Sequence, residues 1–152
     1  MSRKLLLIAG ILLQLHSSLA YPRQLSTRRE NISIKGKWII EKFYPGTISA
    51  FDDSAAMNLL NKILIINNDS LIFNNVSYPI LGFEEEKVNT SDYFINGYRI
   101  DPKKLGLNEK KVKVIKIIPA EGSALPIYAL IVSSDYCIFN MEGYFFFIKK
   151  ME

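Results

Sequence analysis

Few side chains in this 152-residue sequence have the types and spacing that catalysis requires. The single histidine, His16, lies in an N-terminal segment that we expect to be removed. Without an imidazole, the remaining chain cannot use Ser-His-Asp or Cys-His catalysis, and it lacks a common ligand of zinc. The glycines stand singly and form no phosphate-binding loop. The sequence therefore predicts neither an enzyme nor a cofactor.

Two acidic runs are the remaining candidates for binding a metal ion. Glu84-Glu85-Glu86 and Asp52-Asp53 could bind a hard cation through their carboxylates. Neither run has the alternating spacing of a calcium-binding loop. Because runs of like charge usually form solvated surface, we interpret residues 84–86 as an acidic loop and predict no metal site.

The N-terminus has the three parts of a secretory signal peptide. Arg3 and Lys4 precede an apolar run over residues 5–13, and Ser18-Leu19-Ala20 supplies small residues before a cleavage point. A retained membrane anchor is the alternative, but this run is shorter than the roughly 20 residues that span a bilayer. We expect residues 1–20 to be cleaved, the protein to be secreted or periplasmic, and no membrane span to remain.

Cleavage also changes the net charge, and the chain has a single cysteine before and after it. Loss of Arg3 and Lys4 with no acid lowers the formal net charge from +4 to +2. The remaining basic residues are spread along the chain, so nothing predicts a nucleic-acid partner. Cys137 is the only cysteine. It lies in an apolar run and is predicted to be a buried, inert thiol in a monomer.

The mature chain divides into a polar lead-in over residues 21–35 and one domain over residues 36–150. The domain is a series of short runs rich in β-branched and aromatic residues, separated by Asn, Gly, Pro and Asp. These runs predict strands at 37–44, 63–66, 71–73, 76–81, 111–118, 127–132, 136–140 and 144–149, with a weaker strand at 93–95.

Two stretches are predicted to be short helices. Asp52-Asp53 can begin a helix that reaches Leu60, and Asp101-Pro102 can begin another that ends at Gly106. A break in alternation predicts a bulge at Val114-Ile115. The connections are too short for parallel crossovers. We therefore predict an all-β fold, an antiparallel up-and-down barrel of about eight strands with two short helices.

Gly36-Lys37-Trp38 on the first predicted strand resembles the G-x-W signature of the lipocalins and their calycin relatives. Ser134-Asp135-Tyr136 is similar to a turn of that family, and the layout resembles short exported bacterial lipocalin-like domains. The resemblance implies that Gly36 and Trp38 form the base of the barrel. It also implies that a basic residue near the end of the last strand, Lys149 or Lys150, packs on the indole.

Two functions remain open on this fold. A small apolar or aromatic ligand could enter the open end of the barrel, and the tyrosines suited to such a mouth are Tyr78, Tyr93, Tyr98 and Tyr128. Alternatively, aromatic side chains such as those of residues 144–147 fill the interior. In that case the protein would act on a protein partner, as an inhibitor or a host-facing factor.

The sequence also contains N-x-S/T matches, which begin at Asn31, Asn68, Asn75 and Asn89. In a eukaryotic secretory pathway these would be glycan sites on surface loops. The alternative is that turns rich in Asn and Ser generate the matches. Asn68 and Asn75 fall in predicted turns, which agrees with both interpretations.

Overall fold

The computed structural model describes residues 34–50, 52–133 and 136–152. The expected signal peptide, nearly all of the lead-in, Asn31 and the Ser134-Asp135 part of the family-like turn lie outside the described residues. The strands are β1 (Gly36–Pro45), β2 (Ile63–Ile66), β3 (Ser70–Phe73), β4 (Val76–Asn89), β5 (Lys111–Pro119), β6 (Ala129–Val132), β7 (Cys137–Met141) and β8 (Tyr144–Lys150). The helices are α1 (Asp53–Met57), α2 (Thr90–Tyr98) and a 3₁₀ helix (Pro102–Leu105).

The eight strands form a closed antiparallel barrel in the order of the sequence. This confirms the predicted fold class. The β3–β4 connection is the two-residue turn Asn74-Asn75, in which both residues have positive φ angles of 50° and 61°. Asn tolerates the left-handed region better than most residues, so this pair closes a tight hairpin.

One hydrophobic cluster occupies the inside of the barrel. Alternate residues of the strands point inwards, and the rings of Phe139 and Phe146 stack with centroids 5.2 Å apart. The other large, fully buried members of this cluster are Ile34, Ile40, Leu64, Ile66, Leu71, Ile115, Ile127, Leu130 and Ile148. The barrel interior therefore serves as a packed core.

A second hydrophobic cluster lies on the outer face of the barrel, beneath α2 and the 3₁₀ helix. Phe94 of α2 is fully buried there, with its ring centroid 5.9 Å from that of Phe145 on β8. The other buried members are Ile100, Leu105, Leu107, Val112, Val114, Ile131, Ile138 and Phe147. Part of the sheet is consequently buried on both faces.

This second cluster explains two wrong predictions. The predicted strand over 93–95 is the centre of α2, which begins after Asn89, whose side-chain oxygen accepts a hydrogen bond from the N–H of Asp92 (3.1 Å). The predicted bulge at Val114-Ile115 is absent, because β5 pairs with β4 there without a shift. Val114 faces the outer cluster and Ile115 the interior, so adjacent apolar residues need no bulge.

β4 differs from its prediction in length. It continues through residues 84–86, so the expected acidic loop is part of a strand. The real register shifts occur between Ile80 and Gly82 on β4 and between Ile40 and Lys42 on β1. In the ranges that the structure describes, no helix has the length and hydropathy to cross a bilayer.

Candidate functional site

α1 closes one end of the barrel. The carboxylate of Asp52 accepts a hydrogen bond from the N–H of Ala55 (2.7 Å) and so begins the helix. Ala56 is fully buried and Leu59 nearly so, both within the interior cluster. The hydroxyl of Tyr144 donates to the Asp53 carboxylate at 2.6 Å and ties α1 to β8. This bond raises the pKa of the Tyr144 phenol.

The segment that leads into α1 lies against the β7–β8 turn. The N–H of Gly46 donates to the carbonyl of Gly143, and that of Ala50 to the carbonyl of Glu142, both at 2.8 Å. Gly143 has a φ of 86°, and a Cβ there would overlap the backbone of Ile48. Glycine is therefore required where the two segments meet. This contact helps to hold α1 at the end of the barrel.

Trp38 lies near the start of β1, at the end of the barrel opposite α1. Its side chain is 9% exposed, and its indole N–H donates to the carbonyl of Ile34 at 2.6 Å. The Nζ of Lys150 lies 5.8 Å from the centre of the indole ring, at the outer limit of a cation–π contact. Gly36 has a φ of 128°, and a Cβ there would lie only 3.2 Å from the Lys150 side chain.

Lys149 does not occupy the position over the indole. It pairs in register with Ile39, and its Nζ lies 3.8 Å from the carboxylate of Glu41. Lys150 instead pairs with Trp38. Because successive side chains of a strand point to opposite faces, only one of the two lysines can reach the ring.

The four tyrosines expected at a mouth are not brought together. Tyr78 is half-buried against the interior cluster, whereas Tyr93 and Tyr98 belong to the outer cluster. Their hydroxyls lie 3.4 Å apart, and burial is the main cause that raises the pKa of the Tyr93 phenol. Tyr128 is 56% exposed. A ligand-binding role for these residues stays a prediction.

A shallow groove of about 640 Å³ lies beside α1. Its lining combines amide side chains with one lysine and two aliphatic residues: Asn58, Leu59, Asn61, Lys62, Ile63, Asn74 and Asn75. The interior cluster lies beneath it, since Leu59 belongs to both. The groove can therefore offer hydrogen bonds at the surface from its amide side chains.

Cys137 is buried in the interior cluster, as predicted. Burial raises the pKa of its thiol to about 12, so the thiol is protonated and unreactive at neutral pH. Within residues 34–50, 52–133 and 136–152, no three His, Cys, Asp or Glu side chains are grouped so that they could hold a metal ion.

The second half of β4 presents an open strand edge. β3 pairs with β4 only as far as Pro79, whereas β5 continues alongside β4 to Asn89. Beyond Ile80, no described residue hydrogen-bonds to the edge of β4 that β3 leaves free. Leu81, in the register shift at the start of this stretch, is 75% exposed.

The hydrogen-bond pattern identifies which peptide groups face outwards. The N–H of Thr90 donates to the carbonyl of Lys110, across from β4 to β5. Peptide groups alternate in direction along an antiparallel strand, so even-numbered residues bond to β5. The N–H and C=O groups of Phe83, Glu85 and Lys87 therefore point away from β5, in the plane of the sheet, towards the open edge. Sequence reasoning missed this edge because the acidic run suggested a loop.

Comparison with known proteins adds no assignment, since no family model, curated protein or solved structure matches this chain.

Proposed function

We propose that this protein is an exported, non-catalytic binding module that recognises another protein through its outer surface. The observation that carries this proposal is the filled barrel. Large side chains occupy the interior, and buried residues of α1 and the Trp38 ring pack against them. An eight-stranded barrel is just wide enough either to hold its own side chains or to bind one small ligand, and here the side chains take that space.

The proposed export rests on the three-part signal pattern of residues 1–20. Kinship with the lipocalins is also part of the proposal. It is supported by the closed eight-stranded barrel and by the contact of Trp38 with Lys150. A barrel of this type whose interior is filled can still bind a partner protein through its rims and its outer face.

The first experiment asks whether the interior accepts an apolar ligand. We expect benzene to leave the melting temperature of the wild-type protein unchanged, because an apolar guest needs an empty, apolar cavity. The matched control is Phe139→Ala, which removes a fully buried ring from the interior cluster. That variant is expected to melt lower and to be partly restored by benzene. Stabilisation of the wild-type protein by benzene would contradict a filled interior.

The second experiment asks what the protein binds. Native mass spectrometry of the protein purified from its own source is expected to show a second polypeptide in a fixed ratio and no bound small molecule. A photo-activatable amino acid at Leu81 or at Met57 would then locate the contact, since both positions are exposed. A small molecule as the sole co-purifying species would overturn the proposal.

The groove beside α1 favours a second candidate, a small polar ligand. No hydrogen bond joins the side-chain amides of Asn58, Asn61, Asn74 and Asn75 to other described residues, so they are free to bind a ligand rich in hydroxyl groups. Asn58→Ala is the direct test, because its side chain lines the groove without a left-handed backbone to preserve. Loss of a bound small molecule in this variant would favour the second candidate over the first.

A further inference from the structure

The open edge of β4 carries an inference that rests on the proposed function. We propose that an extended, basic segment of the partner protein adds to this edge as a further strand of the sheet. Phe83, Glu85 and Lys87 present three N–H and three C=O groups in one line. Unpaired strand edges of this kind are templates for pairing with another chain.

The side chains of the edge indicate the charge of its occupant. Glu84, Glu85 and Glu86 are consecutive and exposed. Lys113 forms an ion pair with Glu85 and Lys116 with Glu86, both at 2.7 Å. These lysines lie on β5, on the far side of β4 from the open edge.

An added strand would therefore contact the glutamates first and the lysines only at twice the distance between strands, about 10 Å. Glu84 lies opposite Lys116 in the pairing of β4 with β5 and attracts it, but the two side chains form no ion pair. The Glu84 carboxylate can therefore also pair with a cation on the incoming strand. Opposite charges on directly facing residues stabilise a strand pair, so Lys or Arg opposite these positions is favoured.

A second copy of this chain fits the edge less well. In such a dimer two β4 strands would pair antiparallel across their open edges, related by a two-fold axis perpendicular to the sheet. Residues on the same face then lie opposite each other, and one residue lies opposite its own copy. In the registers centred on residues 84–87, that residue is always charged. Each such dimer therefore opposes two like charges at its centre, which destabilises the pair. A basic segment of a different protein avoids this repulsion.

The test uses a defined probe, the acetylated and amidated peptide Lys-Val-Lys-Val-Lys-Val-Lys carrying a fluorescent label. Its anisotropy is expected to rise on titration with the full-length protein. Two control peptides separate the contribution of charge from that of the backbone hydrogen bonds. Glu-Val-Glu-Val-Glu-Val-Glu reverses the charge, and a basic peptide with N-methyl groups on alternate residues keeps the charge but cannot form the ladder. Both are expected to bind at least tenfold more weakly.

Protein variants locate the site. The N–H of Glu85 faces outwards, so Glu85→Pro removes an edge donor while leaving the bonds between β4 and β5 in place. Glu85→Ala is the matched control, because it also loses the ion pair with Lys113 but keeps the N–H. We expect at least a tenfold loss of affinity in Glu85→Pro and less than threefold in Glu85→Ala. Glu84→Lys is expected to lower the affinity for the basic peptide about fivefold and to raise the affinity for the acidic peptide.

Each outcome has one meaning. Equal binding of the basic and N-methylated peptides to the wild-type protein overturns strand addition, even if Glu85→Pro does not fold. A wild-type dimer in sedimentation equilibrium that Glu85→Pro abolishes also overturns the proposal, because the occupant is then a second copy. If no probe binds but Met57 cross-links to a polypeptide partner, the edge proposal fails while the proposed function stands. If the basic probe binds as expected and a small ligand occupies the interior, the edge proposal stands without that function.

Discussion

β8 and β4 show two opposite ways of using a strand in the same barrel. Residues 144–148 of β8 are all buried, because one face lies in the interior cluster and the other beneath α2. β8 also pairs along both edges, with β1 and with β7. In β4, residues 84–87 are exposed, and one edge lacks a partner among the described residues. Stability is therefore concentrated in β8, and accessible backbone in β4.

Residue type alone would suggest the opposite roles for these two strands. β8 has aromatic side chains of the kind that often mark a binding site, yet they pack against each other. Phe147, for example, lies edge-on to Tyr136 with ring centroids 5.7 Å apart. β4 has charged side chains of the kind that often mark a solvated loop, yet they line an ordered strand edge. Substitutions in the two strands should therefore have different effects on stability and binding.

The largest expected effect on stability is that of Phe146→Ala in β8. Removal of a fully buried ring should lower the free energy of unfolding by about 3–5 kcal/mol. Glu84→Ala in β4 should change it by no more than about 0.5 kcal/mol, because this exposed side chain forms no ion pair with a described residue. Urea denaturation of both variants measures the two values. Similar losses in the two variants would contradict the division between the strands.

The second effect is a loss of stability at alkaline pH that depends on Cys137, which pairs with Ile148 of β8. Burial raises the pKa of this thiol from its ordinary value of 9.0 to about 12. Below pH 9 the thiol is protonated in both states, so it adds no pH dependence. Between pH 9 and 12 it ionises only in the unfolded chain, and the free energy of unfolding should fall by up to about 1.4 kcal/mol per pH unit.

Cys137→Ala is the control for this prediction. It lowers stability at every pH but lacks the thiol, so its alkaline decline should be shallower than that of the wild-type protein. Some decline should remain, because the pKa values of the Tyr93 and Tyr144 phenols are also raised. Parallel declines in the two proteins, measured by urea denaturation between pH 8 and 11, would show that the thiol makes no contribution.

The contrast between the strands also explains which strands and helices can be predicted from the sequence. The runs that became β5 to β8 are apolar and β-branched or aromatic, and their strands were predicted to within two residues. Residues 93–95 have the same composition but lie in α2, where Phe94 and Tyr98, four residues apart, pack on Phe145. The helix signal was present in Asn89 and Asp92, at the spacing of a capping residue and its partner. Tertiary packing outweighed the strand propensity of the aromatic residues.

The register between strands that lie far apart in the chain could not be predicted from the sequence. The choice between Lys149 and Lys150 depends on which residue of β8 faces Trp38, and each shift by one residue reverses the answer. That choice has no local signal, because β1 and β8 lie far apart in the chain. The open edge of β4 has a different origin: β3 and β4 are joined by a two-residue turn, and β4 is much longer than β3, so its second half extends beyond the pairing that ends at Pro79.

The third effect is that of Tyr144→Phe, which removes the hydrogen bond between β8 and Asp53 while keeping the ring. We expect a loss of about 1 kcal/mol in the free energy of unfolding. The amides of residues 53–57 should also exchange faster with solvent, because the bond holds α1 on the barrel. Tyr128→Phe, at an exposed position, is the control and should change neither measurement. Unchanged exchange in Tyr144→Phe would mean that apolar contacts and the backbone bonds of the preceding segment hold α1 without this hydrogen bond.

The smallest effect is expected at the end of β8, where two neighbouring lysines face opposite sides of the sheet. Lys150→Met removes the cation near the Trp38 ring and should lower the free energy of unfolding by about 0.5–1 kcal/mol. Lys149→Met removes only an exposed ion pair with Glu41, whose contribution is about 0–0.5 kcal/mol. Since Trp38 is the only tryptophan, its fluorescence emission reports on this site alone and should change in Lys150→Met but not in Lys149→Met. The reverse pattern would place Lys149 over the indole and shift the β1–β8 register by one residue.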